Sequence, residues 1–330
     1  MPMDFIEKIN LWGAEKKPFI FLIDFEQKKP LAWLAADCPA HFQIRFNQPV
    51  IKSHFSKKSN KDDSTSTIPT HHAKTLKKFP ISVEEYQVKF KQVQAALNRG
   101  DSFLINLTIP TPVQGAMDFN TYFTEASSKY VVWLKDEFIS FSPETFIQII
   151  NGRIATFPMK GTIDASIPNA KELILNDPKE YAEHATIVDL LRNDLSKVAS
   201  NVRVTNFRYY EELVTQEGLI GQVSSAIEGE LPHDYAAKIG SLLFELLPAG
   251  SVSGAPKQKT AQLIAEIEGE DRGYYTGVAG YFDGVNLDSC VLIRYLEAGN
   301  KYRSGGGITF QSEMLSEYQE MIKKVYVPIH

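Results

Sequence analysis

Cysteine is scarce: Cys38 and Cys290 are the only two in 330 residues. One chain therefore offers neither a disulfide framework nor a four-cysteine zinc site, and a reducing compartment fits. Long apolar runs are missing as well, since no window reaches the roughly 18 uninterrupted apolar residues of a membrane span. The opening MPMDFIEKINLWGAEKKPF has neither the basic start nor the unbroken apolar stretch of a secretion signal. The expectation is a soluble, cytoplasmic protein without a membrane partner. An excess of positive charge is lacking too. The formal net charge of −5 gives no global reason to expect nucleic acid as a partner. No internal repeat is visible, and the two glycine-rich loops, PAGSVSGAPK and SGGGIT, lack the spacing or the lysine of a P-loop.

What is present is a globular composition, 43% hydrophobic, which supports a substantial core at this length. Residues 19–35, FIFLIDFEQKKPLAWLA, read as two short strands around a polar turn at Lys28, Lys29 and Pro30. Residues 52–78 turn polar and basic, which predicts a solvated, mobile loop, and no aromatic platform is interleaved there for nucleic-acid bases. Ser82 followed three residues later by Glu85 opens a helix that stops at Gly100. The runs FLINLTI, YVVWL, FISF and TFIQII then look like strands, while residues 169–199 and 233–247 carry helical spacing. Strands in runs followed by helices in runs predict an α+β fold.

Several side chains could carry chemistry. Glu180 and Glu183 share a helix face, as do Glu317 and Glu320. Carboxylates so close together repel, so each pair needs water, a counter-charge or a hard cation, and two such helices could hold Mg²⁺. A solvated helix face accounts equally for either pair alone. Lys160, in TFPMKGT, sits between a strand-like run and a Gly-Thr turn, where it could project into a cleft as a nucleophile or simply face water. As a nucleophile it would have to be partly neutral. Glu144, in SFSPETF, could protonate a leaving hydroxyl or cap a turn. Arg294 ends an apolar run, which predicts a carboxylate partner, structural or substrate-borne.

The segments GDSFLINLT, SFSPETF, PMKGT, AEHATIVDLLRNDL, PAGSVSGAPK, RGYYTGVAGYFDG, the strand ending in Arg294, SGGGIT and SEYQE follow one another in this order. That order resembles the chorismate-utilising enzymes, which include anthranilate, aminodeoxychorismate, isochorismate and salicylate synthases. The likeness covers residues 81–330 as a catalytic domain and leaves residues 1–80 as a short strand-and-loop segment packed on it. It implies two packed antiparallel β-sheets flanked by helices. It also implies Mg²⁺ held by Glu183 and Glu320, with Glu180 and Glu317 beside them. By the same matching, Tyr275, Arg294, Gly305 and Lys324 would hold the substrate's enolpyruvyl carboxylate, Ser253 would lie beside the ring, and Glu144 would be the general acid.

Within that family the PxKGT form around Lys160 resembles aminodeoxychorismate synthases, which convert chorismate and ammonia to 4-amino-4-deoxychorismate for p-aminobenzoate and folate. Leu104 stands where relatives carry glutamine or a water-activating lysine, which argues against the water-adding members. Gln222 stands where many relatives, anthranilate synthases among them, have histidine. Neither cysteine lies in a nucleophile elbow, so the resemblance implies that ammonia comes from solution or from a separate glutaminase subunit.

Overall fold

The computed structural model describes residues 4–47, 76–215 and 218–329. The loop expected over residues 52–78 therefore lies outside the described residues except at 76–78. In chain order the helices are α1 (Phe5–Ala14), α2 (Val83–Asn98), α3 (Phe119–Glu125), α4 (Ala170–Asn176), α5 (Pro178–Leu195), α6 (Ile239–Leu246), α7 (Lys257–Glu268) and α8 (Met314–Lys323). The strands are β1 (Phe19–Ile23), β2 (Leu31–Leu34), β3 (Phe42–Phe46), β4 (Lys77–Lys78), β5 (Leu104–Gln114), β6 (Tyr130–Leu134), β7 (Phe138–Ser142), β8 (Thr145–Ile150), β9 (Arg153–Thr156), β10 (Met159–Asp164), β11 (Ser200–Thr215), β12 (Gly218–Glu230), β13 (Gly254–Ala255), β14 (Val278–Phe282), β15 (Leu287–Val291), β16 (Tyr295–Glu297) and β17 (Lys301–Ile308).

These strands form the two antiparallel sheets that the family resemblance implied, in an α+β fold. One has the order β10-β12-β9-β8-β15-β14-β1-β2, with β11 paired to β12; the other runs β13-β5-β17-β16-β7-β6-β3, with β4 paired to β5. The hairpin expected over residues 19–35 is β1 and β2, and β1 joins β14 on its other side.

Strand β1 reads FIFLI without a polar residue because both of its faces are covered. Ile20 and Leu22 point to the second sheet, where Phe42, Ile44, Tyr130 and Phe138 meet them. Phe19, Phe21 and Ile23 point the other way, into a core shared with Ile187, Val188, Leu191 and Leu195 of α5 and Leu242, Leu243 and Leu246 of α6. Each fully buried side chain of this size stabilises by about 1.5–3 kcal/mol. The interlock of one sheet with the other, and of each with its helices, leaves the ends of β10 and β17 facing α5 and α8.

The start of α2 forms as its spelling requires. The Ser82 hydroxyl accepts from the Glu85 backbone N–H at 3.2 Å while the Glu85 carboxylate accepts from the Ser82 N–H at 3.0 Å. Gly100, in the left-handed region at φ 78°, lies just past its end. One local expectation fails. Lys160 and Gly161 are not a turn after a strand; they lie inside β10. The β10–β12 register slips between Met159 and Thr162, so an extra residue bulges there and Gly161 takes φ 94°.

Candidate active site

Helix α5 begins with Asp177, whose carboxylate accepts from the backbone N–H groups of Lys179 at 2.8 Å and Glu180 at 3.0 Å, and continues with Pro178. This cap places Glu180 in the first turn and Glu183 one turn on, against the β10 bulge. The Lys160 ammonium pairs with Glu183 Oε2 at 2.8 Å. A Cβ at Gly161 would stand 2.8 Å from Glu180 Oε2, so only glycine lets the strand run so close to that carboxylate. Glu180 Oε2 is itself buried without a hydrogen-bond partner, and burial raises its pKa.

The second pair approaches from α8. Glu320 meets Lys324 one turn later at 2.7 Å, and the same ammonium donates to the Gly305 carbonyl at 2.9 Å. A Cβ at Gly306 would lie 3.2 Å from Glu317 Oε2 and 3.7 Å from Glu320 Oε1, so β17 presents bare backbone to both carboxylates. Burial raises the pKa of Glu317, with Glu320 adding to it. Burial also works on Glu320, but Lys324 and Lys160 outweigh it and bring that carboxyl below its usual range. The structure thus brings all four predicted glutamates together with Lys160 and Lys324. Among the described residues, no three acidic, histidine or cysteine side chains stand in a metal-ligating arrangement, because lysines are interposed between them.

Lys160 is paired with a carboxylate in this site. Burial lowers its pKa, but Glu183, Glu320 and Glu180 together outweigh burial and raise it. Paired with Glu183, the ammonium has no lone pair, so it must lose a proton before it can attack as a nucleophile.

For Arg294 the structural alternative finds no carboxylate partner among the described residues. No carboxylate of the described residues pairs with it; its guanidinium lies 5.2 Å from the Tyr326 ring centre, and its Nε is buried without a hydrogen-bond partner. The cation is thus enclosed while a donor remains free for an anion. Tyr275 stands nearby, 3% exposed, its hydroxyl pushed up to about 12 chiefly by burial. Glu144 is enclosed too, and burial raises its pKa against the opposing influence of the Ser251 hydroxyl, which donates to Oε1. Gly305 pairs with Thr108 across the sheet, and a Cβ there would fall 2.1 Å from the Leu107 carbonyl oxygen. Ser253 is fully buried and spends its hydroxyl on the Ala249 carbonyl at 2.8 Å.

Residues 15–330 match the family described as chorismate binding enzyme. The chain belongs to that family. An uncharacterized PabA-like protein of Pasteurella multocida is 46% identical over 98% of both chains. Aminodeoxychorismate synthase component 1 of Klebsiella aerogenes is 35% identical over 76% of this chain and 58% of its own length, so the chain spans little more than half of that relative. Anthranilate synthase component I of Streptococcus pneumoniae superposes with a TM-score of 0.64 at 28% identity, over 76% of this chain and 59% of the other. The likeness inferred from motif order thus holds, and the chain is a chorismate-utilising enzyme.

Three features of this site escaped the sequence reading. His184 is fully buried beside Glu183, and burial lowers its pKa. It lies on the same stripe of α5 as Ile187, Val188 and Leu191, and that spacing is the signal that marks it as a core histidine in need of partners. Ser251 was visible only as part of a small-residue loop. The third is Arg272, whose buried pair with Glu268 ties the β5 backbone to the loop before Ser253. The two departures have local roles: Leu104 lies against Gly307, where a Cβ would be 3.0 Å from its Cδ1, and Gln222 donates to Met159 Sδ at 2.9 Å.

Proposed function

We propose that this chain is the aminating subunit of an aminodeoxychorismate synthase. The observation that carries the reading is Lys160, set on a bulged strand among Glu183, Glu180 and Glu320, and the 35% identity to an aminodeoxychorismate synthase component supports it. The donor set suits Mg²⁺: all oxygens, one of them orphaned, and two further carboxylates now facing ammonium groups. Glu183 and Glu320 would hold the ion, with Glu180 and Glu317 beside them. When bound it would supply positive charge for the ring carboxylate of chorismate.

The chain's own groups account for the rest. Arg294, with Tyr275, Lys324 and the glycine backbone at Gly305, holds the enolpyruvyl carboxylate, and Ser253 backs the ring. Lys160 leaves Glu183, gives up one proton to solvent and adds its nitrogen to C2. The ring double bond shifts and the C4 hydroxyl departs as water with the proton of Glu144. Ammonia then attacks C4, the double bond returns, the lysine nitrogen is expelled and takes a proton back from solvent, and the surplus proton on the new C4 nitrogen goes back to Glu144. The net change is chorismate plus ammonia to 4-amino-4-deoxychorismate plus water, with the enolpyruvyl ether intact. The "component 1" in the relative's name supports a separate glutaminase as the ammonia source.

Anthranilate synthase is the rival reading, favoured by the Streptococcus pneumoniae structure. It requires the ether to be lost as pyruvate. Incubation with chorismate, MgCl₂ and ammonium chloride, followed by mass analysis, separates the two: a product that keeps the enolpyruvyl group supports the proposal, and anthranilate with pyruvate overturns it. No helix among the described residues is long and apolar enough to cross a membrane.

A further inference from the structure

The carbonyl of Lys160 lies within the bulge of β10, where the ladder to β12 is interrupted. A buried carbonyl without a donor is costly, so the bulge persists only if something else satisfies it. His184 does so: its Nδ1 lies 3.2 Å from the Lys160 oxygen and its Nε2 lies 2.7 Å from Ser225 Oγ. Ser225 Oγ in turn accepts the Arg208 backbone N–H at 2.9 Å. Arg208 sits in a second irregularity on the other side of β12, between Asn206 and Tyr209. It is anchored by guanidinium bonds of 2.8 Å to the carbonyls of Ile174 and Leu175 at the end of α4.

For a neutral imidazole only one assignment of protons satisfies this chain of bonds. A carbonyl can only accept, so His184 carries its proton on Nδ1; Nε2 then accepts the Ser225 hydroxyl proton, and that leaves Ser225 Oγ to accept from Arg208. We infer that His184, locked as the Nδ1–H tautomer by Ser225, is a positioning residue that holds the bulge and thereby aims Lys160 at the substrate. The inference rests on Lys160 being the nucleophile of the proposed reaction. A core histidine of merely structural value would stabilise the fold without affecting where nitrogen is delivered, and the two roles separate experimentally.

Long-range ¹H–¹⁵N correlation of the ¹⁵N-histidine-labelled protein reads the tautomer without reference to activity. A protonated Nδ1 is expected, and a protonated Nε2 overturns the inference. Kinetics with chorismate, MgCl₂ and ammonium form the second arm. His184→Leu fills the space but donates nothing, so kcat is expected to fall about 100-fold with little change in KM, the size of effect that misplacing a reacting group by about 1 Å produces. His184→Asn keeps a donor near the Nδ1 position and is expected to recover most of that loss. An asparagine variant as slow as the leucine variant, both melting at the same temperature, sinks the idea. So does a leucine variant with wild-type kcat. Should His184→Leu fail to fold, Ser225→Ala takes its place, and an unchanged tautomer and unchanged kcat there refute the lock. Lys160→Ala serves as the control: full activity in it removes the nucleophile from the proposed function, while the tautomer still decides whether His184 supports the bulge.

Discussion

Replacement of Glu268 by alanine should cripple the fold more than any change at the exposed glutamates. Glu268 and Arg272 form an ion pair of 2.6 Å whose side chains are 3% and 1% exposed. The same carboxylate accepts from the Thr108 N–H at 2.8 Å and the Thr108 hydroxyl at 3.0 Å, and its second oxygen accepts from Arg272 Nε at 2.9 Å. Truncation leaves a buried guanidinium uncompensated, a loss of about 3–5 kcal/mol. Leaving the Thr108 N–H without its acceptor adds about 1–3 kcal/mol. Against a total stability of about 5–15 kcal/mol, a loss of about 4–8 kcal/mol would bring urea unfolding to a far lower midpoint.

Glu268→Leu combined with Arg272→Met removes both charges, and it should cost less than the two single changes added together, by about 2 kcal/mol or more. The site should register the change as well, because Thr108 pairs with Gly305 and Arg272 holds the Val252 carbonyl beside Ser253. Urea titrations of the wild type, the two singles and the double variant provide the cycle. A loss below about 1 kcal/mol for Glu268→Ala, or strict additivity in the cycle, would show that the pair contributes no more than a surface bridge.

Lys160→Ala is expected to abolish formation of 4-amino-4-deoxychorismate and to leave any residual ammonia-dependent product with nitrogen at C2; near wild-type production of the C4 amine would refute the nucleophile assignment. Ser251→Ala removes a donor that favours the charged form of Glu144, whose pKa burial already raises. The acid should then keep its proton to higher pH, so the alkaline fall in kcat/KM should move upward, and a downward shift would contradict the sign. Exhaustive chelation should stop turnover and added Mg²⁺ restore it; full turnover after chelation would exclude the metal. Gly161→Ala forces a Cβ against Glu180 at a positive φ, and should lower kcat and destabilise by about 1 kcal/mol or more; unchanged kinetics would mean that the bulge is not needed.

The α+β class, the capped helix at Ser82, the hairpin at residues 19–35 and the pairing of glutamates on helix faces were legible in the sequence, and the two antiparallel sheets followed from the family resemblance. Periodicity and capping are local properties that neighbouring residues settle among themselves. The order of the short motifs also marked Glu144, Lys160, Arg294 and the four glutamates before any fold was known. Tertiary structure decided their partners. The bulge that carries Lys160 exists because β10 and β12 are out of step, and the histidine that supports it comes from a different element. The pKa of Lys160 is raised because Glu183 of α5, joined by Glu320 of α8 and by Glu180, outweighs burial. Arg294 meets no carboxylate among the described residues because the chain folds it against Tyr326. Charge state, orphaned donors and strand irregularities depend on which distant surfaces meet. A side chain's type and spacing are written in the sequence, whereas its dielectric surroundings and hydrogen-bond partners come into being only when the sheets and helices pack.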